Sequence, residues 1–301
     1  MEKYNVEKLL RYISPSLRAC LKKKSSSLWE KAEEIHIASG EPAIIYYNGG
    51  YEYVPNDNGA FICDNSTILE TLMLISDNSV YAVKEKMSNG FITISGGHRA
   101  GICGTAVMKD GKVSTLKDIS SINIRINREI KGASNKIIDK IIRNGIVQNT
   151  LIISPPRCGK TTMLRDIARV LGEIYKVSII DERSEIAASF NGIPQNKIGK
   201  LSDVLDSCPK EIGIPLVIRS MAPQIIITDE IGNESDVKAI NYAISSGVNI
   251  IASAHGRSTH DVIRKNGFEN MKNYFDTFIT LTNVGGTGSV ESVLTRDEID
   301  I

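Results

Sequence analysis

The sequence has almost no net charge: among its 301 residues, 36 basic side chains stand against 35 acidic ones. No long-range field of one sign results, so nothing in the composition points to a polyanionic partner such as nucleic acid. Cysteine is scarce. Cys20, Cys63, Cys103, Cys158 and Cys208 are odd in number, widely spaced and never in a CxxC pair, which indicates neither a zinc site nor a disulfide framework and fits a reducing cytosol. Long apolar runs are missing as well. VNIIASA and QIIIT are broken by polar residues far short of the roughly 20 positions that a membrane-spanning helix needs. The opening MEKYNVEKLLRYISPSL is charged and lacks the apolar centre of a secretory signal. The expectation is a cytoplasmic protein that is not inserted in a membrane and meets one only through a partner. No internal repeat is present, and the short KKKSSS at 22–27 reads as a solvated turn.

With 42% hydrophobic residues, the chain can bury a sizeable core, and its length suggests two domains. Val6, Leu9, Leu10, Ile13 and Leu17 recur at helical spacing, and Pro15 interrupts the pattern. EIHIA and AIIYY then read as strands set off by glycine and proline turns. Glycine-rich but β-branched, GFITISGGHRAGICGTAV at 90–107 reads as a tight hairpin. These segments predict a small mixed α/β domain over 1–125. Further on, the apolar runs TLIIS, KVSIID, QIIITDE and VNIIAS alternate with helical patterns such as 160–171, so residues 126–301 are expected to form a mainly parallel sheet flanked by helices.

The segment Ser154, Pro155, Pro156, Arg157, Cys158, Gly159, Lys160, Thr161, Thr162 follows a strand and opens a helix, the context of a phosphate-binding P-loop. Backbone N–H groups there would face a β-phosphate, Lys160 would neutralise the β- and γ-oxygens, and the Thr161 hydroxyl would hold Mg²⁺. Serine stands at 154 where the first glycine of the motif belongs, and arginine at 157 where small residues are common, so both bear on nucleotide affinity. Asp229 and Glu230 end another apolar run. With ATP and Mg²⁺ bound, Asp229 would organise the metal shell and Glu230 would orient or deprotonate the attacking water. Alone, the acidic pair could equally be a helix N-terminal charge pair.

Two more stretches end strands: DERSEI at 181–186 and SAHG at 253–256. Read as residues alone, the first could be an internal ion pair and the second a hydrogen-bonded turn. His36 and His98 have no spaced partners and receive no chemistry. DERSEI and AHG are similar to the acidic and histidine boxes of the secretion ATPases, the motors of type II and type IV secretion and of type IV pili. Together with DVLDSCPK, IRSMAP, TDEIG and GGHRAGICG, they resemble the sporulation stage III AA branch over residues 30–285. The resemblance implies a RecA-like P-loop core behind a PAS-like N-terminal domain and makes Glu182 a carboxylate near the water or metal. It makes His255 a sensor of the γ-phosphate and Arg125, ahead of Arg99 and Arg128, the arginine that completes the site. It further implies a homo-hexamer at the base of a channel between mother cell and forespore, with membrane proteins of that complex as partners. EIHIASGEP at 34–42 departs from the arginine-bearing run of that branch. A weakly hydrolysing assembly scaffold and a nucleic-acid motor are the competing functions.

Overall fold

The computed structural model describes residues 3–77, 90–265, 268 and 270–299. The chain divides into two compact units, Met1–Arg128 and Glu129–Ile301.

In the first unit, the helical spacing near the N-terminus yields α1 (Lys3–Leu10) and α2 (Pro15–Lys22), with Pro15 in the first turn of α2, where a missing N–H costs nothing. α3 (Ser26–Lys31) is capped by Ser25, which places the KKKSSS segment at a helix start. The strands β1 (Ala32–Ala38), β2 (Ile44–Tyr47) and β3 (Gly50–Tyr53) come next, then the two-residue ladder of β4 (Pro55–Asn56) with β5 (Gly59–Ala60) and the helix α4 (Asn65–Ile75). Beyond them lie β6 (Phe91–Ile94), β7 (His98–Lys109) and β8 (Lys112–Arg125). Six of these strands form an antiparallel sheet in the order β3-β2-β1-β8-β7-β6. Leu9, Leu17 and Leu21 from the helices and Ile13 from the turn between α1 and α2 pack with Ile35, Ile37 and Ile122 from the strands into one core. The glycine-rich segment is the β6–β7 hairpin, as its β-branched content predicts, with Gly96 and Gly97 at positive φ in the turn.

The second unit begins with α5 (Ile138–Ile141) and the short pair β9 (Ile142–Arg143) and β10 (Ile146–Val147). The four apolar runs become β11 (Thr150–Ser154), β12 (Val177–Asp181), β14 (Ile225–Ile231) and β15 (Asn249–His255), joined by β13 (Ser202–Asp206), β16 (Thr277–Thr282) and β17 (Ser289–Thr295). The sheet order is β13-β12-β14-β15-β11-β16-β17, parallel except for the antiparallel edge strand β17. Alternate residues serve opposite faces. Ile152, Ile179 and Ile227 pack with α6 (Lys160–Leu171), while Leu151, Ile180 and Ile226 pack with α7 (Lys210–Met221) and α8 (Glu234–Ser245). Two shorter helices, α9 (Thr259–Ile263) and α10 (Met271–Tyr274), complete the unit. This is a mixed α/β architecture with a mainly parallel sheet, and its strands β11, β12, β14 and β15 all bring chemistry-bearing residues to the same carboxyl edge. No helix among the described residues is long and apolar enough to cross a membrane.

Candidate active site

Ser154 ends β11 fully buried, and its Oγ donates to the Pro155 carbonyl at 2.8 Å. Its backbone is not left-handed, so the Cβ that distinguishes it from glycine is accommodated. The left-handed positions of the loop are Arg157, with φ 62°, and Gly159, with φ 87°. Gly159 is the N-cap of α6, and no side chain caps that helix, which leaves its first N–H groups to a ligand. A Cβ on Gly159 would also lie 3.1 Å from the Cα of Gly288, in the loop joining β16 to β17.

Lys160 turns back into this loop. Its Nζ donates to the Ser154 carbonyl at 3.2 Å and lies 2.9 Å from His255 Nδ1, while His255 Nε2 lies 2.9 Å from Glu230 Oε2. An imidazole that accepts at Nδ1 and carries its proton on Nε2 satisfies both neighbours, so one ring joins the P-loop lysine to the carboxylate. The pairing of β15 with β11, Ser154 opposite His255, sets the ring at this spot. Burial lowers the Lys160 pKa, and the Glu230 charge opposes that shift.

Glu230 and its neighbour Asp229 serve different clusters, as adjacent residues at the end of a strand do. Asp229 is buried, and Lys210 Nζ reaches its Oδ1 at 2.7 Å and Glu182 Oε2 at 2.6 Å. Apart from Lys210, no donor among the described residues reaches either oxygen of Asp229. Burial pushes the Asp229 carboxyl up to about 6, against the pull of Lys210. For Lys210, burial works against the charge, but the Asp229 and Glu182 carboxylates outweigh it and the net direction is up. Asp181 plays a structural part instead. Fully buried, it accepts from the backbone N–H groups of Glu185, Ile186 and Ala187 at 2.8, 3.1 and 2.8 Å, folding the acidic-box loop onto the end of β12.

The structure thus brings Lys160, His255 and Glu230 together in one cluster, and Glu182 and Asp229 in another. Thr161 and Thr162 follow Lys160 in the first turn of α6. Arg125 belongs to the first unit, exposed on β8 and 3.7 Å from Glu34. Of the other two arginines, Arg99 lies 3.8 Å from the centroid of the Phe91 ring and Arg128 donates to the Ala32 carbonyl, both within that unit. Lys210 receives no chemical role from sequence reasoning; its signal is a lysine placed directly after Pro209 at the start of an apolar helix. Sequence reasoning misses Arg257 and Lys265 too, and with Pro155, Pro156 and His255 they line a cleft of 580 Å³ beside the P-loop.

These residues fit a nucleotide with Mg²⁺. The uncapped start of α6 and Lys160 would hold phosphate oxygens, while the Thr161 hydroxyl and the under-satisfied Asp229 carboxylate would face the ion. Among the described residues, no three His, Cys, Asp or Glu side chains form a metal cluster.

A family model described as "Sporulation stage III, protein AA" matches residues 3–300. The chain belongs to this family. Stage III sporulation protein AA of Bacillus subtilis (strain 168) is 36% identical over 300 residues, spanning 97% of this chain and 96% of that protein. Among solved structures, the Legionella pneumophila ATPase DotB is similar with a TM-score of 0.55 at 16% identity, covering 84% of this chain and 72% of DotB. The pilus retraction motor PilT, solved with bound ADP, is similar with a TM-score of 0.58 at 16% identity, covering 84% of this chain and 75% of PilT. At such identity the likeness is one of fold. This sporulation-family chain therefore has the RecA-like secretion-ATPase fold with an N-terminal domain, as its motifs imply.

Proposed function

We propose that this chain is a Mg²⁺-dependent ATPase that powers or assembles a channel between mother cell and forespore during endospore formation. The observation that carries the reading is the chain from Lys160 through His255 to Glu230. It couples the residue that would meet the γ-phosphate to the carboxylate that would orient the attacking water. Phosphoryl transfer asks a protein mainly for positioning and charge stabilisation, and this arrangement offers both. When phosphate draws Lys160 off the Ser154 carbonyl, His255 keeps its Nε2–H on Glu230 and so fixes that carboxylate beside the phosphate-bound lysine. Glu230, still held by Nε2–H, then faces the water with its remaining oxygen and takes up its proton. Bound Mg²⁺ would supply neutralisation of charge on the phosphate oxygens.

Kinship with the Bacillus subtilis stage III sporulation protein AA supports a setting in sporulation; in this reading the partners are membrane proteins of a stage III complex. The fold of the secretion motors supports a homo-hexamer working in the cytoplasm at a membrane assembly, with Arg125 completing the site. The test is ATP hydrolysis by the purified protein beside its Glu230→Gln variant, with Mg²⁺ and at concentrations that favour assembly. Loss of about 10²-fold or more in the variant is expected. Equal background in both, with nucleotide still bound, refutes the ATPase and favours the assembly scaffold that Ser154 in place of glycine motivates.

A further inference from the structure

Lys210 is an unusual residue for its place. It is the first residue of α7, where the helix dipole disfavours a cation, and only 3% of it is exposed, so it bears two penalties. What offsets them is the pair of carboxylates at 2.6 and 2.7 Å, Glu182 from the acidic-box loop and Asp229 from the end of β14. The two come from neighbouring strands and would repel each other without a cation between them. Two carboxylates share one ammonium, so this corner is short of positive charge.

We propose that Lys210 is a positioning residue, a tethered cation that holds Glu182 and Asp229 together and sets how strongly they attract a divalent ion. This rests on the reading of the site as one for Mg²⁺-nucleotide. The compact ammonium takes part of the charge that Mg²⁺ would otherwise take, so the pair stays assembled without metal and does not bind metal tightly before nucleotide arrives. A guanidinium keeps the charge but is broader, whereas methionine keeps the volume and removes the charge.

The experiment is thermal unfolding of the full chain without nucleotide, in chelator and across millimolar Mg²⁺, for wild type, Lys210→Met, Lys210→Arg and the double variant Lys210→Met with Glu182→Gln. In chelator, K210M should melt about 5–10 °C below wild type, and Mg²⁺ should restore most of the loss while wild type hardly responds. K210R should keep the weak metal response of wild type, and the double variant should lose most of the response that K210M gains. A deficit in K210M that Mg²⁺ leaves unchanged, or a K210M chain that folds at no Mg²⁺ concentration, overturns the proposal and reduces Lys210 to a structural ion pair. Binding of a fluorescent ATP analogue by wild type separates the two readings. A metal-responsive K210M beside a wild type that binds no nucleotide keeps the role of Lys210 and removes the ATP site, whereas nucleotide binding beside a metal-blind K210M does the reverse.

Discussion

His98 is fully buried at the start of β7, where its Nδ1 accepts the Asn127 N–H at 3.0 Å and its Nε2 has no partner among the described residues. Burial pushes the imidazole down to about 4, so the folded unit holds it neutral while the unfolded chain protonates it near 6.5. Unfolding then takes up a proton between these values. The contribution is fully present above pH 6.5, is lost as pH falls towards 4, and amounts to roughly 3 kcal/mol over that range. Denaturant titrations across pH 4–7 should show this slope, and His98→Gln should flatten it; an unchanged slope in the variant assigns the acid sensitivity to other groups. In the sequence His98 is a lone histidine; in the fold the β6–β7 pairing sets Ile94 opposite it and the chain after β8 brings the Asn127 N–H to its ring. The P-loop shows the converse. The strand–loop–helix course of 154–162 is legible from GKTT after an apolar strand, but which loop residue takes a left-handed backbone is not. Serine replaces the motif's first glycine at 154, while the structure puts the left-handed angle on Arg157. Which residue takes a positive φ depends on how the loop leaves the sheet, a matter of strand direction rather than composition.

At the level of elements, the strands buried on both faces are the readable ones, because TLIIS, KVSII and QIIIT cannot be half-solvated. The edge strand β13, intermediate in burial along its whole length, and the threonine-rich β16 carry no such mark. Lys210 escapes for a different reason: it meets Glu182 across 28 residues, and no local pattern records a contact between a helix start and the loop after a distant strand. Helix starts are more local. Asn233 follows the Glu230 strand, and its Oδ1 accepts the Asp236 N–H at 2.9 Å to cap α8. Asn233→Ala should lower stability by about 1 kcal/mol, read as a lower denaturant midpoint at constant slope. Gly159→Ala should do more local harm, since alanine there meets both a left-handed backbone and Gly288 at 3.1 Å. The expected result is at least about a tenfold loss of nucleotide binding in a protein that still folds, and binding equal to wild type would show that the loop relaxes at no cost.

At the scale of the proposed assembly, the question to test is whether Arg125 completes a site at all and, if it does, in which copy of the chain. Arg125 is exposed in the first unit and its carboxylate neighbour Glu34 stands at 3.7 Å, an ion pair too loose and too solvated to hold it there firmly. If it reaches the phosphates of a neighbouring subunit, then Arg125→Ala and Glu230→Gln damage different subunits of the same interface. Each variant alone should be inactive. Mixed in equal amounts and allowed to exchange, they should recover activity, because about a quarter of the interfaces pair an intact Glu230 with an intact Arg125 from the next copy. Were Arg125 to act on the site of its own chain, no mixture could restore a complete site, since every subunit would lack one of the two groups. Recovery that also disappears on dilution below the assembly concentration would tie hydrolysis to the ring as well as to the arginine, since a dispersed chain keeps its P-loop and its Glu230 and loses only its neighbour.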